Sequence, residues 1–200
     1  MKLFFSPAAC SLASHIALLE AGLKFTAVKV DLRHKTLADG SDYRGISPLG
    51  CVPALQLKNG EVLTEGPAIL QYIADQAPAS NLAPANGSFA RYKLQSWLNF
   101  IATELHKNFT PLFDPTTVEA AKLSAQQKLT QRFSYLDQQL GALQYLVGDY
   151  FTIADAYLFT VSGWAKFVKF DLTPYPNLLR YVARCNLRPA VLAAMAAEGL

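Results

Sequence analysis

The residue of this 200-residue chain with the clearest chemical potential is Cys10, in the segment Ser-Pro-Ala-Ala-Cys-Ser at 6–11. A short apolar run precedes the segment, and a helical pattern begins directly after it. The start of a helix presents unpaired N–H groups and the positive end of the helix dipole, and both favour a thiolate over a thiol. A lone buried cysteine is often an inert apolar residue, but the small neighbours here leave the sulfur open. The position predicts thiol chemistry, and because Ala13 stands where a Cys-x-x-Cys motif has its second thiol, self-contained dithiol exchange is not expected.

A second candidate is the segment Gly-Cys-Val-Pro-Ala-Leu at 50–55, where Pro53 opens a strand pattern. Proline has no N–H, so the first hydrogen-bonding group before the strand belongs to Val52. The N–H and C=O of Val52 are therefore predicted to be free to pair with an extended ligand, as an added strand would. A proline-rich loop before an edge strand is the alternative interpretation.

A third candidate is the junction Thr-Glu-Gly-Pro at 64–67, between a strand pattern and a helical pattern. Glu65 can accept an ammonium group, and the N–H of Gly66 at a helix start can bind a carboxylate. Together they suit the ammonium and carboxylate of an amino acid. Simple capping of the helix by Glu65 is an equally good explanation.

A fourth candidate is a polar stripe on a long helical pattern, formed by Asn99, Thr103 and His106. Spacings of four and three residues place these side chains on one face of an α-helix. A single histidine on such a face is more often structural, but a stripe of three polar residues among apolar neighbours is less typical of a core. The stripe therefore predicts a second group of ligand contacts.

The elements that must position these residues change in character near residue 80. Before it, strand patterns at 2–5, 26–30, 54–57 and 61–63 accompany helical patterns at 11–21 and 67–76. The Asn59-Gly60 pair predicts a hairpin, and Pro67 suits the first turn of a helix. Helices placed between strands predict an α/β domain with a mixed sheet at 1–77.

The remainder of the chain is predicted to be helical. A segment rich in Pro, Asn and Ser at 78–87 is interpreted as a linker, and residues 88–200 as an all-α domain. Helical patterns lie at 88–110 and 118–143, from 151 onward, at 175–183 and at 189–197. At the start of the third, Thr152 and Asp155 have the spacing of a capping box.

Composition excludes several classes of function. Charged residues make up 16% of the chain, the net charge is +3 and no block of like charges occurs, so a nucleic-acid partner is not expected. Three cysteines and three histidines are not spaced as a disulfide framework or a metal site. No apolar run has the length of a signal peptide or a membrane span. We expect a cytoplasmic protein without a metal and without a membrane partner.

Five segments of the chain share their pattern with one known family. They are 6–18 with its Cys-Ser turn, 50–55 with Val-Pro, 63–75 with Thr-Glu-Gly-Pro, 97–107 with Thr-Glu-Leu-His, and 151–159 with Phe-Thr-Ile-Ala-Asp. On these segments, which span essentially the whole chain in register, the protein resembles the bacterial beta-class glutathione S-transferases. Two positions depart from the family pattern. Gly66 replaces a frequent serine, which keeps the backbone N–H and removes a hydroxyl contact. Cys51 replaces a frequent polar residue and is a candidate for a second reactive thiol, with a structural free thiol as the favoured interpretation.

The resemblance implies a thioredoxin-like N-terminal domain with a mixed four-stranded sheet, an all-α C-terminal domain, a homodimer, and glutathione bound between the domains as co-substrate. It also implies a set of ligand contacts. These are Cys10 at the glutathione sulfur, Val52 on the cysteinyl backbone before a cis Pro53, Glu65 and Gly66 at the γ-glutamyl end, Lys35 at the glycyl end, and Asn99, Thr103 and His106 from the helical domain.

The polar cluster and the aromatic-rich helical domain together predict conjugation of the glutathione thiolate to small hydrophobic electrophiles, a detoxification reaction. The predicted donors to the thiolate are Cys10, Ser11 and His106. The predicted wall for the electrophile consists of Phe109, Phe113, Tyr157 and Trp164. Two alternatives stay open at this point. One is thiol–disulfide exchange or reductive dehalogenation through a Cys10 mixed disulfide, and the other is a non-catalytic binding module on the same fold.

Overall fold

Four short strands form one mixed sheet in the computed structural model, which describes residues 1–200. They are β1 (Lys2–Phe5), β2 (Thr26–Lys29), β3 (Ala54–Gln56) and β4 (Val62–Thr64). The strand order is β2-β1-β3-β4, with β1 parallel to β2 and antiparallel to β3, and with β3 antiparallel to β4. The predicted four-stranded mixed sheet is therefore confirmed.

Two helices accompany the sheet and begin at the residues singled out in the sequence. Helix α1 (Ser11–Glu20) follows Cys10, and α2 (Gly66–Gln76) follows Glu65. Eight of the ten residues of α1 are buried, because β1, α2 and the last helix of the chain, α8 (Pro189–Glu198), all pack against it. The turn that carries Cys10 thus leads into a helix enclosed by protein.

The chain divides into two units, Met1–Ala83 with Arg188–Leu200, and Pro84–Leu187. The last helix belongs to the first unit, whereas the sequence pattern assigned all of 88–200 to one helical domain. Two side-chain contacts accompany this packing. Nδ1 of His15 lies 2.9 Å from Oε1 of Glu198, and the Arg188 guanidinium donates two hydrogen bonds to the Glu20 carboxylate, at 2.6 and 2.8 Å. A helical pattern shows which residues of a helix are apolar but not which neighbour covers them.

The second unit consists of helices, as predicted. They are α3 (Phe89–Phe100), a π-helical segment (Ile101–His106), α4 (Lys107–Phe113), α5 (Glu119–Leu140), α6 (Ile153–Ser162) and α7 (Pro176–Asn186). The pattern at 88–110 predicted one continuous α-helix, but the backbone changes to i→i+5 bonding in the middle of it. That change moves the residues of the polar stripe away from a simple α-helical face. No helix of the chain combines the length and the apolar character needed to cross a membrane.

The predicted capping box at the start of α6 is confirmed. The carboxylate of Asp155 accepts hydrogen bonds from the N–H and the hydroxyl of Thr152, at 2.8 and 2.7 Å. It also accepts from the N–H of Leu146 at 2.9 Å and from the hydroxyl of Tyr181 at 3.1 Å. Since every residue of α6 is buried, this fully buried carboxylate joins the helix to two other parts of the second unit.

Candidate active site

Cys10 lies at the N-cap of α1, at the end of a turn that Ser11 closes. The buried hydroxyl of Ser11 accepts the N–H of Ser6 at 3.2 Å and donates to the carbonyl of Ser6 at 3.3 Å. Ser11 therefore closes the turn in the ligand-free protein, and its role as a donor to the glutathione thiolate stays a prediction.

A carboxylate from the last helix holds the same turn. One oxygen of Glu198 accepts the N–H of Ala8 at 3.1 Å, and the other lies 2.9 Å from Nδ1 of the buried His15. Ala8 has a φ of 61°, a left-handed conformation that is costly for a residue with a Cβ. Sequence reasoning missed Glu198, because no local pattern connects residues 190 positions apart.

The Cys10 side chain is a hydrogen-bond donor in this structure, although a helix start by itself favours a thiolate. Its Sγ donates to the carbonyl of Val52 at 3.1 Å. Burial raises the pKa of Cys10 to about 12, and the charges of Cys51 and Glu65 contribute in the same direction. Backbone N–H groups at the helix start do lower the pKa, as expected, but the desolvation of the buried sulfur outweighs them.

Only one of the two backbone groups of Val52 is free, whereas the sequence predicted that both would be. Its carbonyl is occupied by the Cys10 thiol, whereas its N–H has no hydrogen-bond partner. The Val52–Pro53 peptide bond is cis, as the family resemblance implies. Tyr43 and Ser47 fix the preceding residue, since both hydroxyls donate to the carbonyl of Cys51, at 2.9 and 3.0 Å. The loop therefore presents one unpaired N–H beside the Cys10 sulfur.

Glu65 and Gly66 lie next to this loop, at the start of α2. The backbone of Glu65 has a φ of 68°, and its carbonyl accepts the N–H groups of Ala68 and Ile69, both at 3.0 Å. Its exposed side chain makes no capping bond, which excludes simple helix capping as its role. The N–H of Gly66 also lacks a partner, and a Cβ on Gly66 would lie 3.9 Å from Pro53. A free carboxylate and a free helix-start N–H thus stand side by side.

Lys35 reaches the same loop from another direction. Its half-buried side chain extends over Gly50, and its Nζ donates to the Gly50 carbonyl at 2.9 Å. An ammonium group has three hydrogen atoms, so two remain for other acceptors.

The polar stripe of the second unit is only partly assembled. The exposed Thr103 hydroxyl donates to the backbone carbonyl of Asn99 at 3.0 Å, and the Asn99 side chain is exposed without a partner. His106 lies against two aromatic residues instead: its Nδ1 is 2.7 Å from the Tyr157 hydroxyl, and its ring is edge-on to Trp164 at 4.7 Å. Burial, with a smaller contribution from the charge of Lys107, lowers the pKa of His106 to about 4. The imidazole is therefore neutral at physiological pH.

Most of the predicted aromatic wall is core. Phe109, Tyr157 and Trp164 are 0%, 3% and 6% exposed, whereas Phe113 is 46% exposed. Tyr157 and Trp164 pack against the His106 ring, and Phe109 packs against Trp164, so these three residues support the unit from inside. Of the four residues predicted to contact an electrophile, only Phe113 presents an open surface in this structure.

The pKa of His106 predicts an acid-dependent loss of stability. An unfolded histidine titrates near pH 6.5, and the folded His106 near pH 4. Between these values the unfolded chain binds more protons, so the free energy of unfolding decreases as the pH is lowered. From pH 7 to pH 5 we expect the wild type to lose up to about 2 kcal/mol more than His106→Gln, measured by urea unfolding. Equal losses in the two proteins would contradict the lowered pKa.

Comparison with known proteins agrees with this geometry. Residues 8–76 match the family model described as the glutathione S-transferase N-terminal domain, and residues 100–189 match the C-terminal domain. The chain is 50% identical to glutathione S-transferase GstA of Escherichia coli O157:H7, over the full length of both. The structure of a ternary complex of BphK, a bacterial GST, is 54% identical with a TM-score of 0.99, and each chain is covered completely.

Two sphingomonad structures are similarly close. One is a glutathione S-transferase complexed with glutathione, and the other is a bacterial beta-class enzyme from Sphingomonas chungbukensis. Each is 50% identical to this chain with a TM-score of 0.97 and complete coverage of both chains. The chain therefore belongs to the glutathione S-transferase family. Within that family its similarity is to the bacterial beta-class enzymes, and its co-substrate is glutathione.

Proposed function

We propose that this enzyme binds glutathione, stabilises its thiolate and transfers it to small hydrophobic electrophiles. The observation that carries the proposal is the unpaired N–H of Val52 beside the Cys10 thiol. An extended peptide that pairs with Val52 brings its own side chain next to Cys10, and in glutathione that side chain is the reacting thiol.

The two ends of glutathione have matching partners in the first unit. We assign the γ-glutamyl ammonium to the carboxylate of Glu65, and its carboxylate to the free N–H of Gly66 at the start of α2. The glycyl carboxylate is assigned to the two remaining donors of Lys35. This assignment pairs the ammonium and the glycyl carboxylate with groups of opposite charge, and the α-carboxylate with a backbone donor at the start of a helix.

The second unit supplies the remaining contacts in this proposal. We assign Asn99 and Thr103 to polar contacts with glutathione, because the Asn99 amide is free and Thr103 is exposed. His106 acts as a neutral donor or acceptor and not as an acid, since its pKa lies near 4. The exposed ring of Phe113 is the surface offered to an apolar electrophile.

Stabilising the glutathione thiolate requires several donors. Lowering a thiol pKa from about 8.5 to about 6.5 corresponds to about 2.7 kcal/mol. A helix terminus supplies only about 0.3–1 kcal/mol. We propose that the Cys10 S–H supplies part of the remainder by turning from the Val52 carbonyl to the ligand sulfur. The glutathione proton leaves to solvent, and the thiolate then attacks the electrophilic carbon and displaces its leaving group.

The mixed-disulfide alternative receives little support from this geometry. It needs Cys10 to attack a disulfide as a thiolate. A thiol with a pKa of about 12 is almost entirely protonated at neutral pH, and its hydrogen atom is held by the Val52 carbonyl. Conjugation does not require ionised Cys10, because the attacking sulfur belongs to glutathione.

Conjugation of glutathione to chlorodinitrobenzene tests the proposal directly. The wild type is expected to form the product in proportion to enzyme concentration, and Cys10→Ala is expected to keep a reduced rate. A wild-type protein that binds glutathione but forms no product at any concentration would reduce the site to a binding module.

The Gly66 position allows a test of the γ-glutamyl contact. A Cβ there would have only an ordinary contact with Pro53, at 3.9 Å, so Gly66→Ser fits without rearrangement. Its hydroxyl adds one donor to the α-carboxylate, a bond of about 0.5–1.5 kcal/mol, and the KM for glutathione should fall about 2- to 10-fold. Gly66→Ala is the matched control and should leave KM unchanged. An equal change in both variants would rule out the hydroxyl contact.

We further propose a homodimer in the cytoplasm with a role in detoxification. The family resemblance supports the dimer, and the free state of all three cysteines suits a reducing compartment. Light scattering of the purified protein is expected to give twice the mass of the 200-residue chain.

A further inference from the structure

We propose that Gly50 positions the Lys35 ammonium and thereby sets the preference for a glycyl carboxylate at the far end of the thiol substrate. This inference rests on the proposed function, in which Lys35 binds that carboxylate. Gly50 has no side chain, and the space next to its Cα is filled by the Lys35 stem.

The Lys35 stem occupies the place where a side chain at position 50 would lie. A Cβ on Gly50 would be 2.9 Å from Cδ of Lys35 and 3.3 Å from Cε. Real Cβ atoms essentially never approach another carbon to 2.9 Å, so any side chain at this position displaces the stem. The Gly50 carbonyl meanwhile holds the ammonium at 2.9 Å. One residue thus contacts the lysine both along its stem and at its charge.

The surrounding backbone is too firmly held to absorb such a displacement. Gly50 donates its N–H to the carbonyl of the buried Ser47 at 2.7 Å and has a φ of 61°. Tyr43, which is fully buried, donates its N–H to the Lys35 carbonyl at 2.8 Å and its hydroxyl to the Cys51 carbonyl at 2.9 Å. Tyr43 therefore fixes the Lys35 backbone relative to the loop. The flexible part that must yield is the lysine side chain itself.

The contact with Gly50 determines where the Lys35 ammonium lies relative to the backbone of the ligand. Val52 lies two residues beyond Gly50 and offers the N–H assigned to the cysteinyl residue of glutathione. A lysine held on the Gly50 carbonyl places its ammonium at one fixed distance from that N–H. A substrate with a carboxylate one residue beyond its cysteine can pair with this ammonium and binds more tightly. A substrate that ends at the cysteine does not reach it.

Gly50→Ala is the test, with Gly40→Ala as its matched control. Gly40 also has a left-handed backbone, with a φ of 82°, but a Cβ there meets no atom within 4 Å. The control therefore carries the backbone cost of alanine without the collision. We expect Gly50→Ala to raise the KM for glutathione about 5- to 20-fold with kcat changed less than about 2-fold, and Gly40→Ala to change neither. Gly50→Asn, whose side chain tolerates the left-handed region better, should give the same rise if the alanine variant folds poorly.

Two further measurements separate positioning from general damage. With γ-glutamylcysteine as the thiol substrate, which lacks the glycyl residue, the wild type and Gly50→Ala should have the same KM. In a Lys35→Ala background, where the stem is missing, Gly50→Ala should add no further rise in KM. A rise that persists with γ-glutamylcysteine or in the Lys35→Ala background, or an equal rise in Gly40→Ala, would overturn the inference. Inactivity of the wild type with glutathione would instead overturn the proposed function.

Discussion

Glu65→Gln is expected to lower kcat/KM for glutathione about 10- to 100-fold while leaving stability nearly unchanged. The substitution keeps the shape of the side chain and removes its charge, so the ligand ammonium loses a charge-assisted bond of about 1.5–3 kcal/mol. The free energy of unfolding should stay the same because the Glu65 side chain bonds to no other residue in the free protein. The backbone carbonyl of residue 65 still accepts the N–H groups of Ala68 and Ile69. Steady-state kinetics at varied glutathione concentration measure the loss.

Glu61→Gln provides the control for this prediction. Glu61 is exposed, accepts a hydrogen bond from Asn59 and precedes strand β4, whereas Glu65 follows it, so Glu61 carries the same charge at the opposite end of this short strand. We expect wild-type kinetics from it. A substrate analogue with an acetylated α-amino group should be discriminated against by the wild type but not by Glu65→Gln. Equal discrimination in both proteins would show that Glu65 does not bind the ammonium.

Asp155→Ala is expected to have the largest effect on stability, a loss of about 3–5 kcal/mol. The fully buried carboxylate accepts four hydrogen bonds from Leu146, Thr152 and Tyr181. Its removal leaves the three donors of Leu146 and Thr152 without an acceptor, whereas the Tyr181 hydroxyl keeps the backbone carbonyl of residue 155, at 3.2 Å. Each unsatisfied buried donor costs about 1–3 kcal/mol, and relaxation recovers part of the sum. Urea unfolding and thermal unfolding measure the loss, with a fall in Tm of about 6–20 °C for a chain of this size.

Asp171→Ala provides the comparison for this loss. Its carboxylate accepts the N–H and the hydroxyl of Thr173, both at 2.8 Å, a local pattern like that of Asp155, but it lies at the surface. Water replaces the lost acceptor there, so the free energy of unfolding should change little. A similar loss in both variants would mean that burial of the Asp155 network is not the source of its effect.

Much of the fold is predictable from local patterns. The strand at 2–5 coincides with β1, Asn59-Gly60 marks the β3–β4 hairpin, and Thr152 with Asp155 marks the start of α6. These signals work because turns and caps depend on residues close in sequence. The packing of the last helix against α1 could not be predicted in this way. It depends on the pair His15–Glu198, whose partners are distant in sequence.

The sequence predicts which residues form the site better than it predicts their pKa values. Cys10, Val52, Glu65 and Gly66 lie together because the ends of three elements meet there. The helix start at Cys10 correctly predicted N–H groups that stabilise a thiolate, but burial is a property of the folded chain and reverses the net effect on the pKa.

The helical unit shows a second limit of sequence patterns. Apolar spacing cannot distinguish a wall that faces a ligand from a core, and three of the four predicted wall residues are core. The π-helical segment likewise alters the face formed by Asn99, Thr103 and His106.

The central claim is that glutathione supplies the nucleophilic thiolate while Cys10 remains a thiol. Titration of thiolate ultraviolet absorbance in Cys51→Ser, which removes the one exposed thiol of the chain, tests it most directly. The unliganded protein is expected to show no Cys10 thiolate at neutral pH, since the pKa of Cys10 is about 12. Glutathione binding should produce one thiolate per bound ligand, with a pKa below the usual value of about 8.5. A thiolate that titrates near neutral pH without glutathione, and that disappears in Cys10→Ala, would contradict the account.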